Sequence, residues 1–507
     1  QLRAIEDDAR RTMDDEHSAI FGAHIELLED PELMEYALKL ISSGSSAAYA
    51  WKSSYEAHSK RFKGLGNELF AARAADLEDV GMRVLRIVTG TPDDTEYPGD
   101  SIVLATDLSP SDMALMCKKA LGFCTVKGGA TSHIAILARS LELPALVGMS
   151  EDIMSIPDGA PLVLNADGGI LTVDPEAGEI ALAKQKQAEM AKRREHDIKD
   201  AANPAVTRDG IKIDVAANIG NPSEAAQAAE FGCDGVGLLR SEFLFLGRDT
   251  APGESELADS YIAIAKEIGR GKPLVVRTMD IGGDKQVPYI NQEREDNPFL
   301  GVRGLRLSLR MKDMFGVQIR AILRAADFCD LHIMFPMVST VGEFREAKAF
   351  VREQQGITGV DNVKIGLMIE VPSSAVLARH FAAEADFMSL GTNDLTQYTM
   401  AADRGNPNLA DIADGLNPAV IAMIKNTVDG ARPHNCWVGV CGGMAGDLLA
   451  VPLLIGLGVS ELSVSVPAIP QVKSRVRGLS KAECENIAAR ALELATTVEV
   501  RTYLASL

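Results

Sequence analysis

Apolar residues in the first part of the chain recur at helical spacing. Ile20, Phe21, His24, Ile25, Leu27 and Leu28 fall on such a pattern, and Pro31 marks a turn before the next helix. Little Gly or Pro interrupts the chain before Gly64, so residues 1 to about 85 read as helix throughout. Near residue 88 the texture changes to short apolar segments between helical stretches and Gly/Pro-rich turns. Segments 101–105, 144–147, 161–164 and 169–173 predict the strands of a compact α/β unit. A run rich in Ala, Lys, Glu and Gln follows over 179–203, with a weak apolar face. It predicts a solvated linker helix.

Beyond Pro204 a strand-then-helix rhythm takes over. Strands are expected at 212–219, 235–240, 274–280, 331–336, 365–370, 387–391, 437–441 and 461–466. Eight such units over 204–507 suggest a single (β/α)8 barrel, with an open doubly wound sheet as the alternative. The positions of the polar residues favour the barrel. Arg240, Arg277, Glu370 and Cys441 end their strands or sit near the end, and Asn393 and Asp394 follow the sixth. In a barrel all those C-terminal ends converge on one face, where catalytic groups gather.

Composition narrows the function. The 507 residues hold 51 Lys and Arg against 71 Asp and Glu, a net charge of −20, which argues against binding nucleic acid through its phosphates. Hydrophobic content of 46% with 24% charged residues fits a globular chain. No apolar run approaches the roughly 18–20 residues of a membrane span, and no signal segment opens the chain. Seven cysteines without CxxC spacing suggest neither a disulfide framework nor a structural zinc site; no membrane insertion and a cytoplasmic location are expected. Acid is concentrated at the start, with eleven Asp and Glu against four Arg and Lys in residues 1–40. Such a run is usually a solvated helix face, and otherwise a dock for a basic partner.

A globally acidic protein that binds an anion needs a local basic cluster. Arg240 and Arg277, with Arg303 and Arg404 on following loops, are the candidates. A lone Arg at a strand end is more often a surface ion pair, but several on one rim are harder to dismiss. Glu370 and Asp394 add two hard oxygen ligands of the kind that hold Mg²⁺ beside a substrate phosphate. Cys441, followed by Gly442 and Gly443, could exchange a proton with a substrate carbon, although a buried structural thiol is the default. In the smaller domain His133 follows a Gly-Gly turn, Thr131 and Ser132, at an expected helix N-terminus that would stabilise a phosphate on the ring.

These residues carry a resemblance. The segment GGATSHIAILARSLELPALVG at 128–148 resembles the phosphohistidine segment of enzyme I of the phosphoenolpyruvate:sugar phosphotransferase system. VGLLRSEFLF, RTMDIGGDK, NPFLGVRG, IGLMIEVPSSA, GTNDLTQYTMAADRGN and CGGMAGD, between 236 and 447, are similar to the same family's barrel segments. The resemblance spans essentially the whole chain and implies four parts. These are a helical hairpin docking the carrier HPr (1–87), a swivelling phosphohistidine α/β domain (88–178), a linker helix (179–203) and a TIM barrel binding phosphoenolpyruvate (204–507).

The resemblance further implies that His133 takes the phosphoryl group from phosphoenolpyruvate, with pyruvate released, and passes it to a histidine of HPr, the first step of sugar uptake. It assigns Arg240, Arg277, Arg303, Arg404 and Asn393 to the substrate, Glu370 and Asp394 to Mg²⁺, and Cys441 to protonating the enolate. His24, Glu29 and Glu32 would face HPr, and the barrel would form a homodimer. Three departures stand out. The chain opens inside the helices, as in a truncated protein or the enzyme I part of a fused multiphosphoryl-transfer protein. Gly443 stands where the family commonly has Glu, and Ala130 where it frequently has Arg. Pyruvate phosphate dikinase and phosphoenolpyruvate synthase share the barrel and swinging histidine but need an ATP-grasp domain, for which no nucleotide-binding loop is present. A non-catalytic regulator of the same fold would have no need of Cys441.

Overall fold

The computed structural model describes the chain apart from residues 1–27, 29–30, 64–67, 91–98, 109–112, 114–118, 129–133, 135–137, 139–142, 167, 247, 284–286, 291–292, 294, 405, 407–408 and 410–411. His24, Glu29, Ala130 and His133 therefore lie outside the described residues. The chain divides into two compact units, Gln1–Lys186 and Gln187–Leu507.

The first unit opens, among the described residues, with helices Pro31–Ser42, Ala47–Lys63 and Glu68–Thr89. Leu33, Ala37, Trp51, Tyr55 and Leu77 form their shared core. The Trp51 indole donates to the Gly81 carbonyl at 2.8 Å, and a Cβ at Gly81 would lie 2.4 Å from the Tyr55 ring, so only glycine lets the helices approach this closely. Glu32 is exposed and pairs with Arg61 at 3.2 Å.

Beyond these helices β1 (Ser101–Ala105), β2 (Ala120–Thr125) and β3 (Ala145–Leu146) form a parallel sheet in that order. β4 (Leu162–Asn165) and β5 (Ile170–Val173) form an antiparallel pair. The central strand β2 was not among the expected strands. Phe123 and Cys124 are buried and Gly122 interrupts its apolar run, so no alternation announces it. A Cβ at Gly122 would meet the Pro144 carbonyl at 2.6 Å, which explains the glycine. Helix Ala177–Asp200 then leads into the second unit.

That second unit is a closed barrel of eight parallel strands, each paired with its chain neighbour: β6 (Asp214–Ile219), β7 (Val236–Arg240), β8 (Pro273–Arg277), β9 (Asp330–Phe335), β10 (Lys364–Ile369), β11 (Phe387–Leu390), β12 (Trp437–Val440) and β13 (Glu461–Ser465). An open doubly wound sheet is thereby excluded. The two-residue period of a strand sorts its side chains. Leu274, Val276, Ile333, Phe335, Leu367 and Ile369 join the large core shared with the surrounding helices. Their alternates Val275, Met334 and Met368 join Leu238, Phe387 and Cys441 in a separate inner cluster. Extending that inner set by two residues places Arg277 above Val275 and Glu370 above Met368 on the C-terminal rim.

Several strands end earlier than expected: β8 at Arg277 rather than 280, β10 at Ile369 and β12 at Val440. Glu370 and Cys441 are therefore the first residues beyond their strands. Asp280 lies beyond the ladder, where its carboxylate meets two arginines.

Candidate active site

Each rim residue is presented by the end of a strand or the first turn after one. Arg240 closes β7, is exposed, and has no ion pair or side-chain hydrogen bond among the described residues. Arg277 closes β8 and is buried. Its Nη2 meets Glu242 Oε1 at 2.5 Å and its Nη1 meets Asp280 Oδ2 at 3.3 Å. Burial alone would lower its pKa, but the charges of Glu242, Asp280 and Glu370 outweigh that and raise it, so the guanidinium is permanently charged. The Arg277 Nε is buried without a hydrogen-bond partner, a donor still to be used.

Arg303 lies between two carboxylates. Its Nε and Nη2 donate to the two oxygens of Asp280, both at 3.0 Å, and its Nη1 and Nη2 donate to Asp394 at 3.2 and 3.3 Å. Tyr398 accepts from Nη1 at 3.2 Å and donates to the Phe299 carbonyl at 2.6 Å. Only 2% of Arg303 is exposed. Its donors are thus largely engaged by the protein, in contrast with Arg240. Arg404 is partly exposed and reaches Asp394 Oδ2 at 3.6 Å.

Asp394 sits in the first turn of helix Thr392–Met400, where a carboxylate is favoured by the helix dipole. Asn393 beside it is exposed and accepts from the Gly443 N–H at 2.9 Å, tying the sixth rim loop to the seventh. Glu370 is buried, and its Oε1 accepts from the Met337 N–H at 2.6 Å. Met337 makes that bond from the left-handed region, at φ 56°. The conformation costs a branchless side chain roughly 1–2 kcal/mol and is held by the surrounding loop. Burial, then the charges of Asp394 and Asp280, push Glu370 up to about 8 against the pull of Arg303 and Arg277.

Ionising Glu370 beside Asp394 is therefore disfavoured, a conflict that a divalent cation would relieve. Among the described residues Glu370 Oε2 carries no hydrogen bond, and a Cβ on Gly391 would crowd it at 3.0 Å, so the glycine leaves room beside that oxygen. Among the described residues no group of three or more His, Cys, Asp or Glu forms a complete cage. The donor set fits a hard cation that completes its shell with substrate oxygens and water.

Cys441 is buried at the head of the inner cluster, its Sγ 3.6 Å from the Leu390 carbonyl. Burial pushes the thiol up to about 12, with Ser389 and Arg277 pulling the other way. At neutral pH the side chain is therefore a thiol rather than a thiolate. Gly442 has no room for a side chain, since a Cβ there would sit 2.0 Å from Thr392 Oγ1 and 2.5 Å from Thr392 N. Gly443 is exposed, with Asn393 Oδ1 at 3.3 Å from its Cβ position.

One face thus unites Arg277, Arg303, Arg404, Asn393, Glu370, Asp394 and Cys441, with Arg240 at the end of the neighbouring strand. Glu242, Asp280, Met337 and Tyr398 organise them and were not singled out from the sequence. Glu242 and Asp280 stand two and three residues after Arg240 and Arg277 in RSE and RTMD, a spacing that is a usable signal for a carboxylate returning to the rim. Nothing local marks Met337.

All of these rim residues fall within a stretch that matches a known family. Residues 193–481 match the family model described as "PEP-utilising enzyme, PEP-binding domain". The chain belongs to the PEP-utilising enzyme family. Residues 97–178 match its mobile domain and residues 1–73 its N-terminal domain. The chain is 45% identical over 509 residues to a multiphosphoryl transfer protein of Xanthomonas campestris pv. campestris, covering 99% of this chain and 60% of that protein. It is 41% identical over 507 residues to one of Rhodobacter capsulatus, covering 61% of that protein. A phosphoenolpyruvate-protein phosphotransferase of Priestia megaterium is 40% identical over 516 residues, covering all of this chain and 90% of that protein. The chain therefore spans about three-fifths of the multiphosphoryl transfer proteins it matches. No helix among the described residues is long and apolar enough to cross a membrane.

Proposed function

We propose that the chain is a phosphoenolpyruvate-protein phosphotransferase that moves the phosphoryl group of phosphoenolpyruvate to His133 and then to a histidine of the carrier HPr. The observation that carries this reading is the pairing, on one barrel rim, of an unengaged Arg240 with a buried, neutral Cys441 thiol. The first suits the dianionic phosphate and carboxylate of the substrate. The second suits the carbon of the enolate left when the phosphoryl group departs.

Arg240, Arg277 and Arg404 bind the anionic oxygens, and Asn393 orients the substrate from the neighbouring loop. Arg303 acts from behind, holding Asp394 and Asp280 in place while adding positive charge to the rim. Glu370 and Asp394 would hold Mg²⁺, which when bound neutralises phosphate charge and polarises the departing enolate oxygen. Cys441 holds the proton that converts the enolate to pyruvate. His133 accepts the phosphoryl group and is the donor to HPr, for which the acidic stretch at 1–40, with Glu29, Glu32 and the preceding His24, forms the docking face. A barrel homodimer and a cytoplasmic setting complete the reading, either for this chain alone or for a longer multiphosphoryl-transfer protein that contains it.

Incubation with phosphoenolpyruvate and Mg²⁺, with and without HPr and with ATP as rival donor, tests the whole assignment. An acid-labile phosphoprotein that HPr discharges is expected from phosphoenolpyruvate alone. Labelling from ATP instead would overturn it.

A further inference from the structure

Beneath Cys441 the barrel interior holds an acid with no evident structural purpose. Glu461 opens β13 and is 4% exposed, and its Oε1 is buried without a hydrogen-bond partner. No side-chain hydrogen bond or ion pair engages its carboxyl among the described residues. A carboxyl stranded in this way costs several kcal/mol if ionised, so a purely structural position would sooner be filled by an apolar or amide side chain.

Its surroundings are built to admit it. A Cβ at Gly439 would lie 2.8 Å from Glu461 Oε1, and a Cβ at Gly237 would lie 2.7 Å from the same atom. The carboxyl thus occupies room that two inward-facing glycines leave. Gly439 pairs in register with Glu461 on one side and with Ser389 on the other. Cys441 follows Gly439 by two residues, just past the end of β12, roughly 6.6 Å further along the chain direction. Ser389 is 1% exposed, and its hydroxyl is buried without a hydrogen-bond partner. The Ser389 hydroxyl acts to lower the Cys441 pKa against the larger effect of burial. Three neighbouring strands thus carry Ser389, Gly439 and Glu461 at one level of the barrel, with no side chain at Gly439 between the hydroxyl and the carboxyl and with Cys441 two residues above.

We propose that Glu461 is the proton reserve of Cys441, returning a proton to the thiolate through the Ser389 hydroxyl after each turnover. The inference rests on the phosphotransferase reading above. When the Cys441 S–H bond breaks, its proton forms the new C–H bond of pyruvate and its electron pair stays on sulfur. Ser389 then passes its hydroxyl proton to sulfur and takes the Glu461 proton in exchange. The negative charge ends on the Glu461 carboxylate, which recovers a proton from solvent. Asp214, in register with Glu461, is partly exposed.

The charges around the pair agree with that direction. Burial, then Asp214 and Asp234, hold Glu461 up to about 8, so it is mostly protonated at neutral pH yet gives up its proton more readily than the thiol. Lys212 and Lys473 engage Asp214 and Asp234 at 2.6 and 3.4 Å. Cys441 is faced by Arg277 and Glu370 as well as by Glu461. His332 is turned toward the Phe387 and Trp437 rings, 5.3 and 6.0 Å away, and bonds to Asp330.

The test uses the full chain, phosphorylated from phosphoenolpyruvate with Mg²⁺, and follows by NMR the loss of methyl deuterium from added pyruvate between about pH 6 and 9.5. Exchange requires Cys441 to shed its proton to Glu461. The wild type should therefore speed up through about pH 8. Glu461→Gln should exchange at least roughly tenfold more slowly and lose that rise, Glu461→Asp should keep it, and Ser389→Ala should slow exchange by a similar factor. Phosphohistidine incorporation, which needs no proton return, reports that each variant is folded. A wild-type pH profile in Glu461→Gln, or unchanged exchange in Ser389→Ala, would overturn the relay. Failure of the wild type itself to incorporate phosphate would instead refute the phosphotransferase reading.

Discussion

Asp280 is the residue on which the arginine cluster turns, and replacing it with Asn separates the present account from a looser one. Its two oxygens receive the Arg303 fork at 3.0 Å each, and its Oδ2 also receives Arg277 at 3.3 Å. All three side chains are buried. Asn is nearly isosteric but turns one acceptor into an N–H₂ donor facing guanidinium donors. Breaking a buried pair in this way costs about 3–5 kcal/mol, and Asp394, which still holds Arg303, should keep the loss near the lower figure. Urea unfolding followed by the fluorescence of Trp437 in the barrel, on a Trp51→Phe background, reads this directly. The carboxylate of Asp280 also helps to raise Glu370. A carboxyl held near 8 in the fold, and in its usual range when unfolded, stabilises the fold at low pH and loses that contribution as pH rises between the two values. Asp280→Asn should narrow that window from the top. A midpoint within about 0.5 kcal/mol of wild type, or a Glu370 titration that does not move, would refute the reasoning.

Three further outcomes follow from the rim geometry. Gly442→Ala should displace Thr392, and with it Asn393 and Asp394, abolishing substrate binding, whereas Gly443→Ala should be tolerated within about 1 kcal/mol; calorimetric titration with phosphoenolpyruvate compares them, and equal effects would contradict the packing. Arg240→Ala should leave the unfolding free energy within about 0.5 kcal/mol of wild type while weakening phosphoenolpyruvate by roughly tenfold or more, since no group among the described residues pairs with that guanidinium. Cys441 should resist iodoacetamide up to about pH 9, because burial keeps it a thiol. Rapid alkylation at neutral pH would contradict its assignment as a proton donor.

How much of this was legible in the sequence varies from one residue to the next. The eight barrel strands were readable because Val/Ile/Leu-rich runs alternate with helical spacing, and because Arg277, Glu370 and Cys441 interrupt those runs where the ladders end. β2 escaped because ALGFCT has buried residues in succession and no polar alternation. The arginines were visible but their states were not. Arg240 and Arg303 look alike as letters, yet one is exposed and unengaged while the other is held between Asp280 and Asp394. That difference depends on carboxylates 23 and 91 positions away. The left-handed turn at Met337, which delivers an N–H to Glu370, leaves no mark because Gly or Asn would be the expected residue there. Glu461 is an ordinary acid at the start of a strand until the register across Gly439 brings it beneath Cys441.

Transfer of label from phosphoenolpyruvate to the chain tests the central claim most directly. With Mg²⁺ and ³²P-phosphoenolpyruvate the wild type should acquire acid-labile, base-stable label on His133 together with an equal amount of pyruvate, and His133→Ala should acquire none. Undiminished labelling of His133→Ala, or pyruvate release with no phosphoprotein formed, would contradict the account.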